Sequence, residues 1–322
     1  MKLVAVCDEI EQKAEVAARR WSARSYYGDV ETMLRKEQLQ FLSVCTPPLA
    51  HTDIVCKALE SGVNVICEKP LAMKTREVER MMAKASAGTA KLTMICNELY
   101  NPAVIRARRV LEWLHQQPNR VEFQMLRSPN DKLSFREHWS HNLPGGVFGE
   151  MMIHGIYVIR HFLGDLAVQS VRVDKRNEHG SMKHDELRAS LRSGEKHGEI
   201  HISFSSPQHQ VIMDLYGEKN SVRADLFTSD VFFLRNSDAR YTAKAAEAMT
   251  QASVAMGNAV GIMRDAASYH LGRLRSSHEG NIRAFVDSVL NGTPPPLSLE
   301  DMHALVNTQE QITGLIDADD SP

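Results

Sequence analysis

Residues 41–69, FLSVCTPPLAHTDIVCKALESGVNVICEK, decide the fold. Phe41 to Thr46 form an apolar run that Pro47 and Pro48 break. An amphipathic stretch, HTDIVCKALESG, follows and stops at Gly62, a residue suited to ending a helix. NVICEK (64–69) is a second apolar run, closed by Pro70. The same rhythm extends to both sides. LVAVCD (3–8) reads as a strand, and EQKAEVAARRW as a helix with Ala14, Ala17, Ala18 and Trp21 on one side. TREVERMMAKA is a further helix and KLTMICN (91–97) a further strand. Continuous apolar strands separated by amphipathic helices imply a parallel sheet covered on both faces.

After Pro102 the texture changes. One longer helix, AVIRARRVLEWLHQ, is followed by VEFQML, VQSVRVD, DELRASLRS, EIHISFS, QVIMDLYGE, SVRADLF and VFFLRN, strands without helices between them. They predict a large, open, mostly antiparallel sheet. The fold class is α/β: a Rossmann-like parallel domain over 1–98 and an α+β domain over 99–322.

Composition narrows the function classes. The chain has 322 residues, enough for two cores, with 43% hydrophobic and 24% charged residues, as in ordinary globular proteins. A net charge of -2 argues against nucleic-acid partners. The stretch between Glu247 and Arg264 lacks charge, but Thr250, Gln251, Ser253 and Asn258 keep it short of the ~20 apolar residues a membrane span needs. Five cysteines, Cys7, Cys45, Cys56, Cys67 and Cys96, show no metal-type spacing, which predicts reduced thiols and a cytoplasmic protein.

Three motifs occur in order on this scaffold: Thr46-Pro47-Pro48 with His51 beyond, Glu68-Lys69-Pro70, and GGVFGEMMIHGIYVIRHFLG at 145–164. With NIRAFVDSVLNGTPPPLSLEDM near the end, the set resembles the glucose–fructose oxidoreductase / inositol dehydrogenase (Gfo/Idh/MocA) family of nicotinamide-dependent sugar oxidoreductases. The resemblance runs from residue 3 to the C-terminus. It implies a first strand and a glycine-rich turn ahead of LVAVCD, roughly thirty residues that this sequence does not contain. The Rossmann-like domain is therefore expected to be incomplete, lacking the turn that holds the cofactor's pyrophosphate. It is also expected to leave LVAVCD without one neighbour strand.

The rest of a cofactor site is readable. Asp8 ends a strand where such folds set a carboxylate against the adenosine ribose, and no arginine follows Glu9 to receive a 2′-phosphate. NAD is favoured over NADP. The resemblance implies that Thr46 and Pro47 line the cofactor's far side, that His51 and Glu68 belong to the same site, and that Asn97 meets the nicotinamide end. By itself, His51 reads as a helix-start residue near solvent.

The expected chemistry is hydride exchange at a secondary hydroxyl of a sugar, polyol or nucleotide-sugar, with a base for the hydroxyl proton and a cation for the developing alkoxide. Lys69, at a strand's carboxyl end, and His154 are the candidates, with Glu150 four residues before His154 to orient it. The Lys69–Pro70 bond could be cis. This chain departs from the family pattern at Glu150 (usually Asp), Met152 (usually Gly) and Tyr157 (usually Asp). These departures and the absent turn support an alternative, a non-catalytic relative that senses a ligand or a partner. They also predict that an enzyme of this exact sequence is impaired. His138 and His141 lack the spacing of a metal site with His154. Residues 243–275, with Met249, Met256 and Met263 beside Ala252, Ala259 and Ala266, predict a helix packed on the chain's own sheet or on a second subunit. By resemblance the protein is a homodimer or homotetramer.

Overall fold

The computed structural model describes residues 2–177, 182–235, 241–270 and 276–319. It divides into two compact units, Met1–Ile95 with Ala284–His303, and Cys96–Arg283 with Ala304–Pro322.

The first unit alternates strand and helix: β1 (Ala5–Cys7), α1 (Glu11–Trp21), β2 (Ser25–Tyr27), α2 (Val30–Lys36), β3 (Phe41–Val44), α3 (His51–Glu60), β4 (Asn64–Cys67), α4 (Thr75–Ala87) and β5 (Leu92–Met94). All its strand pairs are parallel, as the apolar runs predict. The parallel strands form two pieces: β1 pairs with β2, and β3-β4-β5 form a separate sheet. β2 and α2 have no counterpart among the elements expected from sequence. β2 is three partly exposed residues, SYY, and α2 buries only Met33 of VETMLRK, so neither periodicity stands out. Burial explains the remaining elements. Val65, Ile66 and Cys67 of β4 and Leu92 and Met94 of β5 are at most 4% exposed. α3 buries His51, Val55, Ala58 and Leu59, spaced at three to four residues, and packs against α4.

The second unit begins with α5 (Pro102–Trp113), whose first residue is a proline where the missing N–H costs nothing. β6 (Arg120–Leu126) follows, then the short α6 (Gly146–Met151) and α7 (Ile153–Leu163). Six more strands are β7 (Ala167–Asp174), β8 (Glu186–Ser193), β9 (Lys196–Ser203), β10 (Gln210–Tyr216), β11 (Asn220–Asp225) and β12 (Asp230–Arg235). They join β6 in one seven-stranded sheet of order β12-β11-β10-β6-β9-β8-β7. Only the central β6–β9 pair is parallel; the rest are antiparallel, as expected. One face is buried in strict alternation, through Val121, Phe123 and Met125 of β6 and Gly198, Ile200 and Ile202 of β9.

α7 lies on that face. A β-carbon on Gly155 would sit 2.9 Å from Ile200 and 3.0 Å from Phe123, and one on Gly198 would sit 2.6 Å from Ile159. The two glycines let helix and sheet approach more closely than any side chain allows. α8 (Tyr241–His270) follows, beginning two residues ahead of the helix expected over 243–275; residues 271–275 of that expectation lie outside the described residues. α9 (Ser277–Leu290) and α10 (Leu299–Asp319) close the chain. Phe285 of α9 is fully buried and meets Phe41 of β3 edge-on at 6.1 Å between ring centres. Among the described residues no helix is long and apolar enough to cross a membrane.

Candidate active site

In the first unit, the carboxyl ends of β3 and β4 carry the expected cofactor residues. Thr46 and Pro47 follow β3, and a 3-10 turn over Pro48–Ala50 leads into α3. Glu68 and Lys69 follow β4, with the Glu68 amide donating to Val44 at 2.9 Å. The Lys69–Pro70 peptide is cis.

His51 joins these two loops, and here the structure corrects the sequence reading of a residue near solvent. The ring is fully buried. Its Nε2 lies 2.8 Å from the Thr46 carbonyl, and its Nδ1 lies 3.0 Å from that of Pro70 and 3.2 Å from that of Leu71. Burial lowers the pKa of the imidazole against the pull of these carbonyls. It acts as an internal strut between the Thr46 and Pro70 loops.

Asp8, at the end of β1, accepts from the Ile10 amide at 2.9 Å. The Thr46 hydroxyl is buried and has no hydrogen-bond partner among the described residues. A polar atom left so in a native fold points to a missing partner. Together, an acidic strand end and an unsatisfied hydroxyl fit a dinucleotide on this unit.

The second unit holds His154 in a four-residue network. His154 and Tyr157 sit at i and i+3 on α7 and are 8% and 2% exposed. His154 Nδ1 is 2.8 Å from the Tyr157 hydroxyl and 3.8 Å from a Glu98 carboxylate oxygen. The hydroxyl accepts from the Glu98 amide at 3.2 Å and lies 3.3 Å from Asn97 Oδ1. Asn97 in turn donates from Nδ2 to Glu98 at 3.1 Å, which fixes the amide's orientation. A phenol has one proton. If it goes to His154, Nδ1 accepts; if it goes to Asn97, Nδ1 donates and the ring's lone pair is on Nε2. The nearby Glu98 carboxylate favours the second, because it stabilises a proton on Nδ1.

The sequence motifs point to His154 and Asn97 and not to Glu98 and Tyr157, which the fold brings into contact with them. Tyr157 was expected to remove a carboxylate. In the fold its hydroxyl takes a place beside His154, and Glu98 brings a carboxylate from the turn after β5. The i, i+3 spacing of His154 and Tyr157 was the available signal. Glu150, on α6, is half-buried, and its charge opposes the burial that lowers the pKa of His138. His138 itself bonds to Ser140, and His141 to the Leu133 carbonyl. Among the described residues no cluster of three metal-ligating side chains occurs.

Comparison with known proteins places these features. Residues 1–95 match the family model "Oxidoreductase family, NAD-binding Rossmann fold", and residues 117–223 match the "GFO/IDH/MocA C-terminal domain". The chain is 27% identical to D-apiose dehydrogenase of Paraburkholderia graminis over 184 residues, 54% of this chain and 47% of the relative. It is 24% identical to inositol 2-dehydrogenase of Rhizobium meliloti over 179 residues, 54% of this chain and 52% of the relative. The alignments thus span about half the length of these curated relatives. In fold it is similar to the WlbA dehydrogenase of Bordetella pertussis solved with NADH and UDP-GlcNAcA, with a TM-score of 0.77 at 15% identity, covering 99% of this chain and 88% of that one. An oxidoreductase of Agrobacterium radiobacter solved with NAD+, L-tartaric acid and magnesium gives 0.76 at 16%, covering 98% and 88%. With both family models matched in sequence order on the two units that the fold defines, the chain belongs to the GFO/IDH/MocA oxidoreductase family, whose N-terminal domain is an NAD-binding Rossmann fold.

Proposed function

We propose that this chain is an NAD-dependent dehydrogenase acting on a secondary hydroxyl of a sugar, polyol or nucleotide-sugar. The observation that carries the reading is the His154 network, which sets Nδ1 beside the Tyr157 hydroxyl and the Glu98 carboxylate; with the ring proton on Nδ1, Nε2 is the base that a hydroxyl proton requires. NAD, when bound, supplies the hydride acceptor. Asp8 would hold its ribose hydroxyls, with Thr46 and Pro47 beside it and Glu68 shaping the same strand ends. Two adjacent acids, Asp8 and Glu9, disfavour a 2′-phosphate and hence NADP. His154 Nε2 takes the hydroxyl proton, and the Glu98 carboxylate steadies the resulting imidazolium. Lys69 provides the cation that stabilises the alkoxide. Glu150 and Asn97 complete the set as supporting groups.

The reading is tested by turnover of NAD with a panel of sugars, polyols and nucleotide-sugars, comparing the parent with Lys69→Ala and His154→Ala. Each variant is expected to lose at least ~100-fold in kcat. Equal turnover in parent and variants overturns the assignment of chemistry.

A second reading is a relative that binds a ligand without hydride transfer. It is favoured by the parallel sheet lying in two pieces and by Met152, fully buried at a position where the family resemblance implies glycine. Titration with NADH, followed by nicotinamide fluorescence, separates the two. Saturable binding supports the first, and absence of binding the second.

A further inference from the structure

Along α8, Ala245, Met249, Ala252, Met256, Ala259, Met263 and Ala266 follow one another at alternating steps of four and three residues. All seven are exposed. The methionines are 74%, 69% and 63% exposed, and Val260 beside them 55%. α8 packs against β12 in its own unit, but these residues take no cover from that contact.

The step is the informative quantity. A helix packed on its own domain follows the 3.6-residue turn, whereas an unbroken 3.5-residue repeat keeps a seam facing a second helix that supercoils with it. Between Glu247 and Arg264 the face carries no charge. Soluble monomers rarely leave such an apolar strip in water.

We infer that a second copy of this chain covers the strip, with the two α8 helices antiparallel about a twofold axis between Gly257 and Asn258. Antiparallel pairing sets each methionine against an alanine: Met249 meets the partner's Ala266, Met256 the partner's Ala259, and Met263 the partner's Ala252. Every layer then joins one large and one small side chain, and the layers fill evenly. Parallel pairing would instead stack methionine on methionine and alanine on alanine, alternately crowded and hollow. From Ala245 to Ala266 the seam is about 32 Å long, and two such strips together bury on the order of 1,200 Å2, the lower bound of a specific interface. A lipid surface suits the helix less well. Membrane-surface helices carry a strongly basic polar face with Trp, Phe or Leu opposite, whereas residues 244–266 hold only Lys244 and Arg264 as basic residues, against Glu247 and Asp265.

Light scattering of the full chain across a concentration series tests the inference, with Met256→Lys and Met256→Leu beside the parent. The molar mass is expected to fall by half in Met256→Lys and to stay at the parent value in Met256→Leu. A Met249→Cys, Ala266→Cys double variant is expected to give a covalent dimer on mild oxidation in a Cys45→Ser background, and Ala252→Cys alone is not. This readout holds even if the lysine variant folds poorly. A parental monomer, an unchanged mass in Met256→Lys, or cross-linking by Ala252→Cys alone overturns the antiparallel pair. So does capture by anionic vesicles that Met256→Lys abolishes without changing the mass in solution.

Discussion

The Tyr157 hydroxyl ties three groups of the candidate site together. Its oxygen is shared by His154 Nδ1, the Glu98 amide and Asn97 Oδ1. Tyr157→Phe keeps the buried ring and removes only that oxygen. The variant is expected to lose about 1–3 kcal/mol in stability, the cost of leaving buried polar groups without a partner. It is also expected to lower kcat about 10- to 100-fold with KM nearly unchanged, because the base is misoriented while the substrate contacts remain. Steady-state kinetics beside thermal unfolding check both, and an unchanged kcat would remove Tyr157 from the catalytic account. His51 is a different case. His51→Ala deletes every bond between its ring and the Thr46, Pro70 and Leu71 carbonyls, and denaturant unfolding is expected to show a loss of about 2–4 kcal/mol. Lys69 and His154 were readable as candidates in the sequence because each sits in a motif of fixed spacing. Glu98 and Tyr157 were not, since an aromatic residue in an apolar helix reads as core. Nor does sequence show that a carbonyl nineteen residues beyond His51 folds back onto its ring.

At the scale of elements, α7 reaches its place only because two glycines clear the way. Gly198→Ala puts a methyl group 2.6 Å from Ile159, and the overpacked interface is expected to cost about 1–3 kcal/mol in chemical denaturation. Gly155→Ala presses on Ile200 and Phe123 directly beside His154, so turnover is expected to fall along with stability. A change in stability with no change in turnover would mean that the helix yields without moving His154. The strands were visible through their alternation, and all seven of the second sheet stand where their apolar pattern puts them. β2 escaped notice because three half-exposed residues are too few to show a period. β8 and β9 also carry a pH dependence. Burial pushes the Glu186 carboxyl up, but hydrogen bonds from His201, Ser203 and Ser205 outweigh it and bring the pKa down to about 2. A depressed carboxyl stabilises the fold above its unfolded value, and that stability is lost as the pH falls from about 4.5 towards 2. Glu186→Gln is expected to flatten that part of the stability profile. A profile identical to the parent's would show that other carboxyls carry the acid transition.

At the scale of the whole molecule, the chain groups Ala284–His303 with a unit that otherwise ends at Ile95. The change of texture after residue 98 signals one division and hides this return, because helical periodicity carries no address. The bonds that fix it are long-range. Lys91, just before β5, donates from Nζ to the carbonyls of Ser288 at 2.9 Å and Thr293 at 2.5 Å. Phe285 fills the space beside Phe41. The first unit therefore has part of its core written near the other end of the sequence. A fragment ending at residue 98 is expected to lack a cooperative unfolding transition, whereas the whole chain keeps one. Phe285→Ala asks the same question without cutting the chain. Removing a fully buried aromatic ring costs about 3–5 kcal/mol, and that loss falls on the unit whose core it belongs to. Hydrogen exchange is expected to show protection dropping in β3, β4 and β5 while β6 to β10 keep theirs. A uniform drop across both sets would mean that the units unfold as one, and that the returning segment ties their stabilities together.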